Sequence, residues 1–229
     1  MKKLPVFLIL LLIITLSLYA QETKQEVTQP DPLRFKGEID NFINYDKKNS
    51  FPKDAVLFVG SSSIRMWPTA DYFPEFKVIN RGFGGSVTGD VNFYYDDIVK
   101  KYKPSIIVFY CGDNDIAAGL AVDKVFNDFV NFCTRVGIDL PGTKIFYLPV
   151  KPSLARWSMW ADMDQVNKKV EEYCNGNEKL SYIDTATPIL GDDGKPMSSL
   201  FLEDGLHLNK SGYDLWTSVV KPVLMKAIK

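Results

Sequence analysis

The sequence has very little histidine and cysteine, with one His and three Cys among 229 residues. Protein metal sites usually need several such ligands at close spacing, whereas Cys111, Cys133 and Cys174 are scattered along the chain. The composition therefore disfavours metal chemistry. Cys111 ends an apolar run and is expected to be a buried thiol, and the sequence leaves open whether Cys133 and Cys174 pair.

Long runs of one charge are also missing. The 27 basic residues are balanced by 28 acidic ones, for a formal net charge of −1. Nucleic-acid surfaces need clustered lysine and arginine to neutralise phosphates, so we expect no nucleic-acid partner. A P-loop is excluded because the GxxxxGK[ST] pattern does not occur. The glycines of residues 82–85 suggest a dinucleotide loop, but Val87 stands where its third glycine should be.

The long hydrophobic run of the sequence lies at its N-terminus. Two lysines precede this apolar stretch, and a small residue, Ala20, ends it, which is typical of a secretory signal peptide over residues 1–20. We therefore expect export to the periplasm or outside the cell, with no other membrane association. An uncleaved membrane anchor is the alternative. Residues 21–33 are polar and contain prolines, which predicts a flexible leader before a domain over residues 34–229.

Beyond the leader, short apolar runs alternate with helical patterns. The predicted strands are residues 55–59, 77–80, 105–111, 144–150 and 180–184, and the predicted helices are residues 34–47, 87–102, 122–136, 161–174 and 210–227. Apolar strands separated by helices indicate a parallel sheet covered on both faces. The expected fold class is α/β, a three-layer α/β/α sandwich with a central, mostly parallel, five-stranded sheet of flavodoxin-like type. Ligands bind at the carboxyl ends of the strands in such sheets.

The one histidine, His207, precedes the last predicted helix, and Asp204 comes three residues before it. A lone histidine is most often a surface or capping residue. However, a turn of this spacing can direct a carboxylate at the ring Nδ1, which fixes the tautomer and supports the imidazolium. A serine nucleophile would also need a base near neutral pH, and no other histidine exists to supply one.

Other polar and glycine residues follow the first three predicted strands. Serines 61–63 come after the first strand, Gly85 after the second, and Asn114 within residues 112–115 after the third. All of these are ordinary turn and capping residues. A calcium loop is a weaker alternative, because alanines occupy its later ligand positions. The functional alternative is that the Asn114 amide and the Gly85 N–H stabilise a developing oxyanion.

Four segments together, from Gly60 to His207 and in the family's order, resemble the motif blocks of the SGNH (GDSL-type) hydrolases. The resemblance aligns the family's serine with Ser62 and puts Ser61 where an aspartate is usual, a Gly-Ser-Ser start that other members share. Ser62 is therefore the predicted nucleophile, and Ser63 is expected to cap the following short helix. A nucleophile elbow of the α/β-hydrolase type is the nearby alternative, but the segment lacks the second glycine of that motif.

The resemblance implies a serine esterase that needs no cofactor. The implied catalytic triad is Ser62, Asp204 and His207. The implied oxyanion hole consists of the N–H groups of Ser62 and Gly85 and the side-chain amide of Asn114. Three alternatives are left open: a lysophospholipase or lipase-type acylhydrolase, an acyltransferase with the same residues, and a non-catalytic carbohydrate-binding protein.

The loop after the fourth predicted strand favours a carbohydrate ester as substrate. It contains Lys151, Arg156, Trp157 and Trp160, and Trp67 follows the nucleophile turn. Aromatic faces with nearby polar donors suit a sugar ring, although tryptophans are nearly as often core or helix-packing residues. A lipase should have a long aliphatic lid, and no insertion in the sequence is long enough. The expected substrate is a small-molecule or carbohydrate ester with a short acyl chain, such as an O-acetyl group.

Overall fold

A computed structural model describes residues 27–227 of the chain. The predicted signal peptide and the first part of the predicted leader (21–26) lie outside the described residues. Within residues 27–227, a five-stranded sheet is covered by helices on both faces, which confirms the predicted three-layer α/β/α fold. No helix of this range has both the length and the apolar composition needed to cross a bilayer.

The sheet is parallel throughout, with the strand order β2-β1-β3-β4-β5. Its strands are β1 (Val56–Gly60), β2 (Val78–Gly82), β3 (Ile106–Tyr110), β4 (Lys144–Tyr147) and β5 (Leu180–Tyr182). Gly60 at the end of β1 pairs with Gly82 on one side and Tyr110 on the other. The chain therefore leaves the first three strands at neighbouring points, and β1 lies where the strand order reverses, the usual place for a ligand site.

Nine α-helices surround the sheet in the described part of the chain. They are α1 (Lys36–Asp46), α2 (Ser62–Arg65), α3 (Thr69–Tyr72), α4 (Thr88–Phe93), α5 (Tyr95–Ile98), α6 (Asp113–Ala117), α7 (Val122–Asp139), α8 (Trp160–Cys174) and α9 (Lys210–Ala227). Short 3-10 helices cover Pro32–Phe35, Lys100–Tyr102, Trp157–Met159, Thr187–Ile189 and Ser198–Leu200. The single helix predicted over residues 87–102 is wrong, because the chain breaks at Tyr94 into α4 and α5. Tyr94 and Tyr95, on either side of the break, are both buried.

Alternate residues of the strands face two separate cores, as the pleat of a strand requires. In β1, Leu57 and Val59 belong to one core, and Val56 and Phe58 belong to the other. The first core is closed mainly by α1, α4, α5, α7 and α8, and the second mainly by α9. The central strands β1 and β3 are apolar because all of their residues are buried.

The last residues of the predicted leader contact the domain. The Tyr94 hydroxyl donates a hydrogen bond of 3.0 Å to the Pro32 carbonyl. Arg34, just after the leader, forms an ion pair with the fully buried side chain of Asp90. Because a buried carboxylate needs a partner for its charge, this pair fixes the start of the domain against α4.

Candidate active site

The turn after β1 places Ser62 at the carboxyl edge of the sheet. Gly60 has a φ of +139°, and a Cβ there would lie 1.8 Å from the Tyr110 carbonyl oxygen, so only glycine fits. Directly after it, the Ser61 N–H donates a 3.0 Å hydrogen bond to the same carbonyl. This close approach to β3 turns the chain sharply, and α2 then begins at Ser62.

Ser62 is the serine of the triplet that contacts the histidine. Its Oγ lies 3.0 Å from Nε2 of His207. The hydroxyls of Ser61 and Ser63 are buried and have no hydrogen-bond partner in the described part of the chain. The expectation that Ser63 caps the short helix is wrong: Ser61 occupies the N-cap position, and its side chain makes no capping hydrogen bond.

The loop before α9 holds His207 through local hydrogen bonds. Its Nδ1 lies 2.6 Å from Oδ2 of Asp204, while Oδ1 of Asp204 accepts from the backbone N–H groups of Leu206 and His207 at 2.8 and 2.9 Å. The hydrogen bond from His207, followed by these backbone donors, lowers the pKa of Asp204 to about 2. Asp204 therefore stays ionised at neutral pH and orients the imidazole with Nε2 towards Ser62.

The other two residues of the predicted site, Gly85 and Asn114, lie just after β2 and β3, the strands on either side of β1. Gly85, in the loop after β2, has a φ of +80°, and no atom lies within 4 Å of a Cβ built there, so its conformation rather than crowding favours glycine. Within residues 27–227, the N–H groups of Ser62 and Gly85 have no hydrogen-bond acceptor. Nδ2 of Asn114 donates a 3.0 Å bond to the Ser86 carbonyl, which holds the amide against the same loop. Free N–H groups at the ends of neighbouring strands are the kind of donor that can stabilise a negatively charged oxygen.

A buried carboxyl joins the loop after β2 to the end of β3. Oδ1 of Asp115 accepts a 2.8 Å hydrogen bond from the Thr88 N–H. Burial raises the pKa of Asp115 to about 7, although the hydrogen bond from Thr88 acts in the opposite direction. Cys111 Sγ lies 3.9 Å from the other carboxyl oxygen, and Cys111, Cys133 and Cys174 are all buried free thiols.

The loop between β4 and α8 approaches Asn114 from the other side. Nη2 of Arg156 donates a 2.9 Å hydrogen bond to Oδ1 of Asn114, and its Nη1 lies 3.0 Å from Oδ2 of Asp113. Lys151 Nζ donates to the Tyr110 hydroxyl at 3.3 Å and lies 3.7 Å from Asp113. Burial lowers the pKa of Lys151, which is 1% exposed. Through Arg156, this loop therefore packs against Asp113 and Asn114 at the start of α6.

Two of the residues expected to bind substrate, Trp67 and Lys151, are buried and do not reach the surface. Trp67 is 1% exposed and packs among the aromatic side chains of the second core, because it follows α2 back towards α9. Lys151 is buried beneath Asp113 and does not reach the surface. Trp157 and Trp160 are half-buried, with their rings nearly parallel at 6.2 Å between centroids. Arg156 is also half-buried, with its guanidinium engaged by protein groups.

Sequence reasoning missed the polar contacts that hold the site together. It treated residues 112–115 as turn and capping residues, whereas Asp113 pairs with Arg156 and Asp115 accepts from the first N–H of α4. No local pattern links Arg156 to Asn114, because 42 residues separate them. No group of three or more His, Cys, Asp or Glu side chains able to hold a metal ion occurs in the described residues.

Comparisons with known proteins agree with this fold. The chain belongs to the GDSL-like Lipase/Acylhydrolase family, whose sequence model matches residues 65–215. That range contains Gly85, Asn114, Asp204 and His207 and begins just after Ser62. The protein is accordingly a hydrolase that acts on ester bonds. A search of curated proteins found no match to the chain.

Solved structures share the fold at low sequence identity. A protein from Streptococcus pneumonia, described provisionally as a platelet activating factor, superposes with a TM-score of 0.75 at 19% identity, covering 94% of this chain and 99% of its own. A GDSL-like lipase from Bacteroides thetaiotaomicron has a TM-score of 0.73 at 20% identity, covering 82% and 98%. A carbohydrate esterase of family 3 from Talaromyces cellulolyticus has a TM-score of 0.64 at 17% identity, covering 76% and 97%.

Proposed function

We propose that this protein is a serine esterase that removes short acyl groups, such as O-acetyl groups, from carbohydrates. The observation that carries the proposal is one continuous chain of hydrogen bonds. Asp204 lies 2.6 Å from Nδ1 of His207, and Nε2 of the same ring lies 3.0 Å from Oγ of Ser62. This is the geometry that lets a histidine take a proton from a serine hydroxyl.

The proposed reaction is acyl transfer from the ester to Ser62 and then to water. His207 takes the Ser62 proton as Oγ attacks the ester carbonyl, and the ionised Asp204 stabilises the imidazolium. The N–H groups of Ser62 and Gly85 and the Asn114 amide donate to the carbonyl oxygen as it becomes negatively charged. His207 then protonates the leaving alcohol. In the second half, His207 activates water, which cleaves the acyl-enzyme and regenerates Ser62.

The accessibility of the site supports a large, polar leaving group. The side chains of His207 and Asp204 are 24% and 46% exposed, so a bulky alcohol can approach them from solvent. The nearly parallel rings belong to Trp157, which follows Arg156, and to Trp160, the first residue of α8, and Arg156 itself contacts Asn114. Indole faces of this kind suit sugar rings. The fold shared with a carbohydrate esterase from Talaromyces cellulolyticus agrees with this choice of substrate.

Acyl-length preference is the direct test of this function. We expect the purified protein to hydrolyse para-nitrophenyl acetate and butyrate faster than octanoate, and to release acetate from acetylated xylo-oligosaccharides. Ser62→Ala should abolish both activities. A rate optimum at the octanoate or at longer esters would contradict the short-chain proposal. Trp157→Ala should raise KM for the oligosaccharide without changing KM for the small nitrophenyl ester.

Two further measurements distinguish the proposed hydrolase from the two other functions, a carbohydrate-binding protein and an acyltransferase. A fluorophosphonate probe should label Ser62, and a lack of labelling would favour a non-catalytic carbohydrate-binding protein. Product analysis with a sugar acceptor present should yield free acetate, whereas acetylated acceptor as the main product would favour an acyltransferase.

Export belongs to the proposal as well. We expect the mature chain to begin near Gln21, after removal of the charged and apolar N-terminal segment. Mass spectrometry of the protein recovered from cell fractions is the test. An intact residue 1–20 segment on protein recovered from the cytoplasm would contradict export.

A further inference from the structure

Both ends of the Asn114 side-chain amide are engaged by the protein. Its Oδ1 accepts a 2.9 Å hydrogen bond from Nη2 of Arg156, and its Nδ2 donates a 3.0 Å bond to the Ser86 carbonyl. A guanidinium can only donate, so it must face the oxygen end of the amide. The amide nitrogen carries two hydrogens, and Ser86 accepts one of them. The second hydrogen remains for another acceptor.

We propose that Arg156 is a positioning residue that acts on the ester carbonyl through Asn114; this rests on the function proposed above. Without Arg156, only the Ser86 carbonyl would oppose a half-turn of the Asn114 amide, which would present oxygen, a repulsive group, to the developing oxyanion. The cationic hydrogen bond at Oδ1 adds to the Ser86 contact and disfavours that orientation further. It also polarises the amide, which strengthens the remaining N–H as a donor. Donors that are oriented in advance are the ones that accelerate acyl transfer.

Buried contacts hold the Arg156 guanidinium in place. Its side chain is only 18% exposed, and Nη1 lies 3.0 Å from Oδ2 of Asp113, a charge contact without hydrogen-bond geometry, with the Asp113 side chain 5% exposed. Asp113 precedes Asn114 in the first turn of α6, so the pair moves with the amide that it orients. Because the guanidinium faces these two residues, its role differs from the direct substrate contact that the sequence suggested.

The same loop also contacts the histidine side of the site. The Ala155 N–H donates a 3.0 Å hydrogen bond to the Gly205 carbonyl, next to Asp204. A Cβ on Gly205 would lie 3.1 Å from Cβ of Leu154, so the two loops pack closely. The loop that carries Arg156 is thereby held against the loop of His207. It contacts both Asn114 and the His207 loop, so its position relative to each is fixed.

A double-mutant cycle tests the proposal on para-nitrophenyl acetate, a substrate without charge or sugar. Arg156→Ala should lower kcat about tenfold or more, with KM changed less than about threefold, because the lost interaction matters in the transition state. In an Asn114→Ala background, the same substitution should lower kcat less than about twofold further, since its target is gone. Arg156→Lys should restore part of kcat, because lysine keeps the charge without the planar fork.

Arg135→Ala is the matched control. Like Arg156, Arg135 donates to an amide oxygen, here the backbone carbonyl of Asn92, and contacts a carboxylate, that of Asp96, but it lies on α7. It should leave kcat unchanged. Equal losses from Arg156→Ala in both backgrounds, an unchanged kcat, or an effect confined to KM would each overturn the proposal.

A measurement without turnover separates this inference from the proposed function. The side-chain amide NMR resonances of Asn114 can be identified by their loss in Asn114→Ala. Arg156→Ala should shift them, and Arg135→Ala should not; unshifted resonances in Arg156→Ala would overturn the proposal. If the wild-type protein hydrolyses no ester, the proposed function fails, while these spectra still decide whether Arg156 orients the amide.

Discussion

The two halves of the candidate site are built in different ways. Ser62 and Asn114 follow central strands, and their neighbours are deeply buried: Asp113 is 3% exposed and Asp115 is 0% exposed. Asp204 and His207 lie on a solvent-facing loop, with side chains 46% and 24% exposed. The strand-end half is held by hydrogen bonds between residues far apart in sequence, whereas the loop half is held mostly by bonds within four residues.

Because of this difference, we expect substitutions in the two halves to affect activity and the free energy of unfolding differently. Exposed hydrogen bonds and ion pairs contribute little to the free energy of unfolding, because water replaces them at low cost. Breaking a buried network leaves polar groups without partners and costs more. Substitutions in the loop half should therefore remove activity alone, and substitutions in the strand-end half should lower both activity and stability.

The largest expected effect comes from the serine itself. Ser62→Ala should lower kcat about ten-thousandfold or more, because neither acyl transfer nor proton transfer to His207 can begin. Ser63→Ala is the matched control: Ser63 is 1% exposed, lies in the same short helix, and its hydroxyl has no partner among the described residues. It should keep measurable activity. An active Ser62→Ala beside an inactive Ser63→Ala would reverse the assignment.

The next largest effect should come from the exposed half of the site. Asp204→Asn should lower kcat about a thousandfold or more, since an amide can favour the wrong imidazole tautomer. Its melting temperature should stay within about 2 °C of the wild type. Asp214→Asn is the control, because Asp214 is 48% exposed and pairs with Lys210 on α9. A large fall in melting temperature for Asp204→Asn would break the distinction between the two halves.

Asn114→Ala should affect both properties. We expect kcat to fall about a hundredfold or more from the lost oxyanion donor. The free energy of unfolding should also fall, by about 1–2 kcal/mol, because Arg156 loses its acceptor and the Ser86 carbonyl loses its donor. Measuring kcat and denaturant unfolding on the same sample distinguishes a catalytic role of Asn114 from a purely structural one. Near-normal kcat with lower stability would make Asn114 a turn residue only.

The last prediction concerns Asp115, which we expect to affect stability rather than turnover, as a pH dependence of the unfolding free energy. Burial raises its pKa from the usual 3.8 to about 7, so folding favours the protonated form. The stabilisation is fully present below about pH 4 and is lost as the pH rises through about 7. Between these values, the wild type should lose about 1–4 kcal/mol of unfolding free energy relative to Asp115→Asn. The exposed Asp96→Asn should track the wild type, and a pH slope unchanged in Asp115→Asn would contradict this role.

Much of the fold could be predicted from sequence because its signals are local. Apolar runs of strand length alternating with helical patterns gave all five strands and the parallel sheet, although β4 and β5 end earlier than predicted, at Tyr147 and Tyr182. The break at Tyr94 was missed because helical periodicity continues across it. The contact between Asp204 and His207 was also predictable, since a turn over three residues can bring the two side chains together.

The sequence by itself determined the class of fold, the family resemblance and the set of residues that could meet at the carboxyl edge of the sheet. Only the tertiary structure decided which side chains face solvent and which face each other. Trp67 belongs to a core, Lys151 is buried, and Arg156 contacts Asn114 rather than open solvent. The physical reason is that strand and turn patterns depend on neighbours in the chain, whereas burial and pairing depend on how loops from distant strands pack over one another.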